Sequence, residues 1–358
     1  MLLRRYPSVV NAAHQRWFGL AVLHKPTGTG RASLHLSVPA RAPLTIAPLP
    51  DRRFVRVHGP ESVTFLQGLL TNDMRHFEHC GAMYAMFLRA NGRVFCDTLI
   101  YKRTHGEEAH DYLLECDAST APRLEKHLKL YRLRKKVQIE AVDAAQFRLW
   151  VAFSDGVAEE EPLPTPRPEC SEGGLQIFKD PRLPRLGFRV LVNSERQPEN
   201  EAHLDRVFPG ALKAETALPY TSFRYGLGVG EGEENLPDGK CFPLECNCDF
   251  LHGVSFHKGC YIGQELTART YHTGVIRKRL MPLELDVAAT PDQLPADAEI
   301  KNEEGASVGK LRGHAGTRAL GLLRIEKVLQ PGAQLTLNGI ACRTGKPFWW
   351  PKDANARA

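Results

Sequence analysis

After Arg277 the chain breaks into short β-prone runs, LMPLEL, AEI, SVGKL, RALGLLRI, QLTLNG and IACRT, divided by Gly, Pro and Asp. That rhythm reads as a small antiparallel β-barrel or sandwich. Upstream of it, strands and helices alternate with no Gly-rich phosphate loop, which points to an α+β fold rather than a doubly wound nucleotide fold.

Phe54–His58 is β-rich, and Gly59-Pro60-Glu61-Ser62 is a turn leading into a helix. Within SVTFLQGLLTND, Val63, Leu66, Leu69 and Leu70 recur at three- and four-residue steps and predict one buried helical face. In YAMFLRANGRVFCDTLIYK, Asn91-Gly92 suits the positive φ angles of a two-residue hairpin turn, so a β-hairpin is expected. YLLEC predicts a strand, and residues 119–134 predict a basic helix with Leu124, Leu128 and Tyr131 on one face. KKVQIEAV, FRLWVAF, LQIFKD and LGFRVLV read as strands and ENEAHLDRVF as a helix. The acidic, proline-dense EEEPLPTPRPE (159–169) is expected to be an exposed loop.

The net charge of +6 is unevenly spread. Residues 1–50 hold Arg4, Arg5, Arg16, Lys25, Arg31 and Arg41 and no acid, so positions 51–358 contain 41 basic and 41 acidic residues and are neutral. An acid-free, Arg-bearing start with apolar residues between the charges predicts a mitochondrial presequence, taken as 1–45, and hence the mitochondrial matrix. Removing it removes the positive excess, which argues against nucleic acid as a partner. No apolar run reaches the roughly 18 residues of a membrane span. Nine irregularly spaced cysteines fit reduced thiols rather than a disulfide scaffold.

Cys241, Cys246, Cys248, His252, His257 and Cys260 lie within twenty residues, but their spacing lacks the paired C-x2-C knuckles of structural zinc. Cys260 differs from the rest in its local setting. Gly259 and Gly263 frame it, Lys258 precedes it, and GQELTART predicts a helix whose free N–H groups would face the sulfur. Both effects favour the thiolate, the form that binds metal or attacks an electrophile, although a buried structural thiol fits the spacing equally well. Glu265 and Arg269, four residues apart, are expected to pair along that helix. Asp97, at the end of a hairpin strand, is a candidate general base or pocket residue. No protease-like triad is readable around Cys260.

KGCYIGQE (258–265) resembles the K-G-C-[FY]-x-G-Q-E signature of the YgfZ-type, folate-binding relatives of the glycine-cleavage aminomethyltransferase. FLQGLLTND (65–73) is similar to their early helix, and NGRVFCDTLI (91–100) to their hairpin. With a presequence, the chain is most similar to the mitochondrial iron–sulfur cluster assembly factors of that family. The resemblance implies a three-lobed, GcvT/YgfZ-like α+β arrangement around a central cavity with a C-terminal antiparallel β-barrel. The domains expected are 46–145 with 213–272, then 146–212, then a barrel over 273–350.

The resemblance further implies a role in maturing [4Fe-4S] proteins with an A-type iron–sulfur carrier as heterodimer partner. Cys260 would ligate a shared [2Fe-2S] cluster, with Lys258, Tyr261, Gln264 and Glu265 shaping its surroundings. It implies a tetrahydrofolate-type pocket, with Asp97 near where the transferase has acidic residues. In the transferase an aspartate stands at the Cys260 position and an arginine at that of Gln264, so cysteine argues for sulfur chemistry over aminomethyl transfer. A folate-dependent one-carbon transferase is the alternative.

Overall fold

The structure is a computed structural model that describes residues 43–103, 110–156, 175–193 and 203–352. The acidic 159–169 segment and nearly all of the expected presequence, residues 1–45, lie outside the described residues.

Two five-stranded sheets and a barrel carry the fold. The first sheet has the order β3-β4-β5-β2-β6, formed by β2 (Arg52–His58), β3 (Ala82–Leu88), β4 (Val94–Lys102), β5 (Asp111–Asp117) and β6 (Gln138–Ala141). All its pairings are antiparallel. α1 (Ser62–Gln67) and α2 (Ala121–Arg132) pack on it, and Phe65, Leu66, Leu124 and Leu128 are buried there.

The second sheet has the order β10-β1-β7-β9-β8. It takes β1 (Thr45–Pro48), β7 (Phe147–Phe153), β8 (Leu175–Lys179), β9 (Phe188–Asn193) and β10 (Leu212–Lys213). A short helix α3 (203–207) follows β9. β1 thus pairs with strands of the expected second domain although it stands at the boundary of the first.

α4 (Leu218–Gly226), α5 (Gly232–Asn235) and α6 (Gln264–Thr273) precede the barrel. The barrel closes in the order β11-β14-β13-β12-β15-β16. Its strands are β11 (Lys278–Leu285), β12 (Glu299–Asn302), β13 (Ser307–Ala315), β14 (Arg318–Arg324), β15 (Leu335–Leu337) and β16 (Ile340–Thr344), with α7 (Ile325–Val328) after β14. Alternate residues such as Leu283, Ile300, Leu323 and Leu337 fill its interior. Closure removes the free edges that short strands would otherwise leave.

Two local expectations are corrected. The helical period from Val63 to Leu70 does not make one helix, because α1 ends at Gln67 and Leu69 and Leu70 are buried from the turn beyond it. Periodicity reports burial, and a tight turn can bury the same positions. The hairpin forms, but its loop is longer than two residues. Arg89 N–H donates to Arg93 O at 2.8 Å and Gly92 N–H to Arg89 O at 2.8 Å. Only Gly92, at φ +78°, is left-handed, the pattern of a three-residue loop ending in a glycine bulge.

Candidate functional site

The residues KGCYIGQE form a loop that leaves a turn-rich segment and enters α6. Gly263 caps α6 at φ +76°, and a Cβ there would stand 2.4 Å from Arg89 O and 2.9 Å from Leu88 Cβ. A Cβ on Gly92 would in turn meet Gly263 O at 3.1 Å. Two glycines therefore let the hairpin tip and the start of α6 touch backbone to backbone. Gly259 is different. Its Cβ would meet nothing within 4 Å, so the expected steric need for glycine holds at 263 and not at 259.

The loop is fastened to the end of α1. Lys258 Nζ donates to Gln67 O at 2.8 Å, Leu70 O at 2.6 Å and Asn72 O at 2.7 Å. Ile262 N–H donates to Gly68 O at 3.2 Å and Ser255 N–H to Thr71 O at 3.0 Å. Thr71 Oγ1 donates to Gly253 O at 2.6 Å, and Asn72 Nδ2 to His252 O at 2.7 Å. The Gln67 carbonyl at the end of α1 and the carbonyls of the turn that follows it are thus taken up by the Cys260 loop. Phe256 stacks on Tyr271 of α6 with ring centroids 3.5 Å apart, closing the loop at its base. Gln264 Oε1 accepts from Tyr261 N–H at 3.1 Å, fixing the backbone that follows the cysteine.

Cys260 itself is exposed, so the buried-thiol alternative is set aside. Tyr261 turns inward beside it and packs on the core cluster that holds Tyr84 and Cys248. Burial, with Cys248 adding to it, pushes the Tyr261 phenol up. Lys258 does more than lie beside the sulfur in sequence: all three of its donors serve backbone carbonyls. Burial lowers its ammonium to about 8, against the opposing pull of Asp73. Arg75 holds the Asp73 carboxyl well below the ordinary range. Glu265 and Arg269 are both exposed and form no ion pair with each other among the described residues; two solvated side chains gain little by pairing.

The remaining soft ligands are scattered. Cys241, Cys246 and Cys248 are buried while His252 and His257 are exposed. No group of three or more His, Cys, Asp or Glu able to hold a metal occurs among the described residues.

Asp97 belongs to another place, a buried ionic cluster between the two sheets. Its Oδ1 accepts from Gly232 N–H at 3.1 Å, and burial raises its carboxyl against the pull of Arg52. Arg182 pairs with Asp180 and Glu231 at 2.7 Å each, and Arg189 also pairs with Glu231. Arg52 pairs with Glu115 at 2.7 Å. Burial opposes the Glu231 charge, but Arg189, Arg182 and Arg52 overcome it and hold the carboxylate low. Arg52 Nη1 and Nη2, Arg182 Nη1 and Tyr84 Oη are shielded from solvent without a hydrogen-bond partner. Sequence reading named only Asp97 of this cluster, because its members come from β2, β4, β5, β9, the turn before β9 and the start of α5.

The two arrangements, an exposed cysteine on a pinned loop and a buried charged interior, can be set beside known proteins. Residues 277–352 match the family described as "CAF17, C-terminal beta-barrel domain". The human mitochondrial iron–sulfur cluster assembly factor IBA57 is 38% identical over 327 residues, 85% of this chain and 84% of that protein. The mouse protein is 37% identical over 318 residues, covering 86% and 85%.

The chain belongs to the IBA57 family.

This IBA57-family chain is thereby a mitochondrial one, its relatives being named as such. A Neurospora crassa homologue is 38% identical over 252 residues, 70% of this chain and 55% of its own. The glycine cleavage system aminomethyltransferase T of Bartonella henselae superposes with a TM-score of 0.65 at 14% identity, over 87% of both chains. At that identity the likeness concerns the fold, and it bears out the expected α+β arrangement with a C-terminal barrel.

Proposed function

We propose that this protein assembles iron–sulfur clusters in the mitochondrial matrix by offering Cys260 as one ligand of a [2Fe-2S] cluster shared with an A-type carrier, in the maturation of [4Fe-4S] proteins. The observation that carries the reading is an exposed thiol on a loop held by Lys258, Ile262 and Phe256. A thiolate suits iron, and one cysteine leaves the remaining coordination to a second protein. The cluster is cargo, so the protein needs a reachable sulfur and a fixed backbone rather than a closed metal cage. Anaerobic reconstitution with an A-type carrier, followed by visible absorption, tests this. Cys260→Ser should lose the cluster bands of the complex, and Cys80→Ser, altering another exposed thiol, should keep them. Bands of equal intensity in both variants refute the ligand role.

A second reading, tetrahydrofolate-dependent one-carbon transfer, is favoured by the buried donors without partners. Arg52, Arg182 and Tyr84 present N–H and O–H groups that a pterin's ring oxygen and nitrogens fit in kind, since buried donors seek acceptors. Bound folate would carry the one-carbon unit, and these three side chains would orient it. Tight tetrahydrofolate binding that Arg52→Met abolishes, with turnover of a one-carbon donor, would promote this reading above the first.

A further inference from the structure

A cleft of about 490 Å³ lies between α6 and the Phe242–Glu245 turn, ending at the segment that enters β11. Its walls are apolar, built from Leu266, Phe242, Leu244 and Ile276. Val275 at its mouth is 51% exposed and extends the apolar surface of the cleft outward. Thr267, buried in the wall, has a hydroxyl without a hydrogen-bond partner.

The rim is basic. Arg277, Lys278 and Arg324 surround the cleft, and none of the three forms an ion pair among the described residues. Glu245 is the one carboxylate in the lining, and its Oε2 accepts from Phe242 N–H at 3.3 Å. Three unpaired cations around an apolar floor repel one another and favour an occupant that brings carboxylates and an apolar anchor. The first fifty residues of this chain contain no acid, so that segment has the wrong sign.

The cleft borders α6, the helix that the Cys260 loop enters. Leu266, Thr267 and Thr270 line it from the helix that the loop enters at Gln264. At 1.5 Å per residue, Thr270 lies about 9 Å along α6 from Gln264. An extended chain covers that span in roughly three residues.

Resting on the ligation reading above, we infer that the cleft along α6 seats an acidic, apolar-anchored segment of the protein that completes the coordination of Cys260's cluster. One metal–sulfur bond cannot fix the orientation of two proteins, whereas a second contact along α6 does. The carboxylates would meet Arg277, Lys278 and Arg324, and an apolar side chain would cover Val275 and fill the floor. Because the rim charges are solvent-facing, their part in the contact should weaken with salt.

The test uses the full chain reconstituted anaerobically with an A-type carrier. Hydrogen–deuterium exchange should show protection over residues 264–278 in the complex. The double reversal Arg277→Glu with Lys278→Glu should speed dissociation about tenfold and flatten its salt dependence. Lys301→Glu, on an exposed barrel strand, should not. Circular dichroism and the reaction rate of the Cys260 thiol should match wild type in both, separating docking from misfolding. Unchanged dissociation in the double reversal, or protection that avoids 264–278, overturns the docking site. If Cys260→Ser loses the cluster while the reversal has no effect, docking alone falls. If Cys260→Ser retains it, the ligation reading falls.

Discussion

Lys258 shows how one side chain can set the geometry of its neighbour. Its ammonium answers three carbonyls, and hydrogen bonds to a charged donor contribute about 1.5–3 kcal/mol each when intact. Lys258→Met strands those carbonyls and should lower the unfolding free energy by about 2–4 kcal/mol in denaturant titrations. The same side chain makes a pH prediction. Its folded value of about 8 lies below the ordinary 10.5, so between them the unfolded chain holds a proton that the folded chain has released. The contribution of this group to stability therefore rises as pH climbs from about 8 towards 10.5. Lys258→Met should lack that rise when unfolding is followed across the window. From sequence, Lys258 is legible as a charge near a thiol, since adjacency shows proximity. Which way a lysine turns depends on α1, nearly two hundred residues earlier, and no local pattern encodes that.

At the scale of elements, the three stretches noted in the sequence prove to be one construction. FLQGLLTND supplies the carbonyls, the Asn91-Gly92 hairpin supplies the tip against Gly263, and KGCYIGQE supplies the loop between them. Gly263→Ala forces a left-handed residue to carry a Cβ 2.4 Å from Arg89 O. The left-handed conformation alone costs about 1–2 kcal/mol, and the clash adds to it. The variant should unfold at lower denaturant and give a faster-reacting Cys260 thiol, both readable in one titration. Period-two and turn signals made the barrel legible from sequence, because each strand buries alternate residues and ends at a Gly, Pro or Asp. Closure was not written in any one strand, since it depends on β11 pairing with both β14 and β16. Leu323, fully buried in the barrel, is a packing residue; Leu323→Ala should cost about 2–5 kcal/mol by thermal unfolding.

Across the whole molecule, a buried charged interior lies between the sheets while the Cys260 thiol faces outward. Arg182 and Arg189 are fully buried, and removing one partner from such a network leaves an uncompensated charge. Arg182→Met should destabilise the fold by about 3–5 kcal/mol while leaving Cys260 exposed, as thiol labelling of the folded fraction would show. This interior was illegible in the sequence because charged residues read as surface until several distant strands bring them together. The loop carrying Cys260 was legible as a glycine-framed turn ahead of a helix, but the spacing left an outward and a buried thiol equally open, and only the fold turns it outward. The central claim is that Cys260 holds a cluster jointly with another chain. Native mass spectrometry of the anaerobically reconstituted mixture tests it directly. For wild type we predict one species containing both proteins, two irons and two sulfides, and for Cys260→Ala only the separated chains. Persistence of the iron- and sulfide-bearing heterodimer in Cys260→Ala would contradict the account.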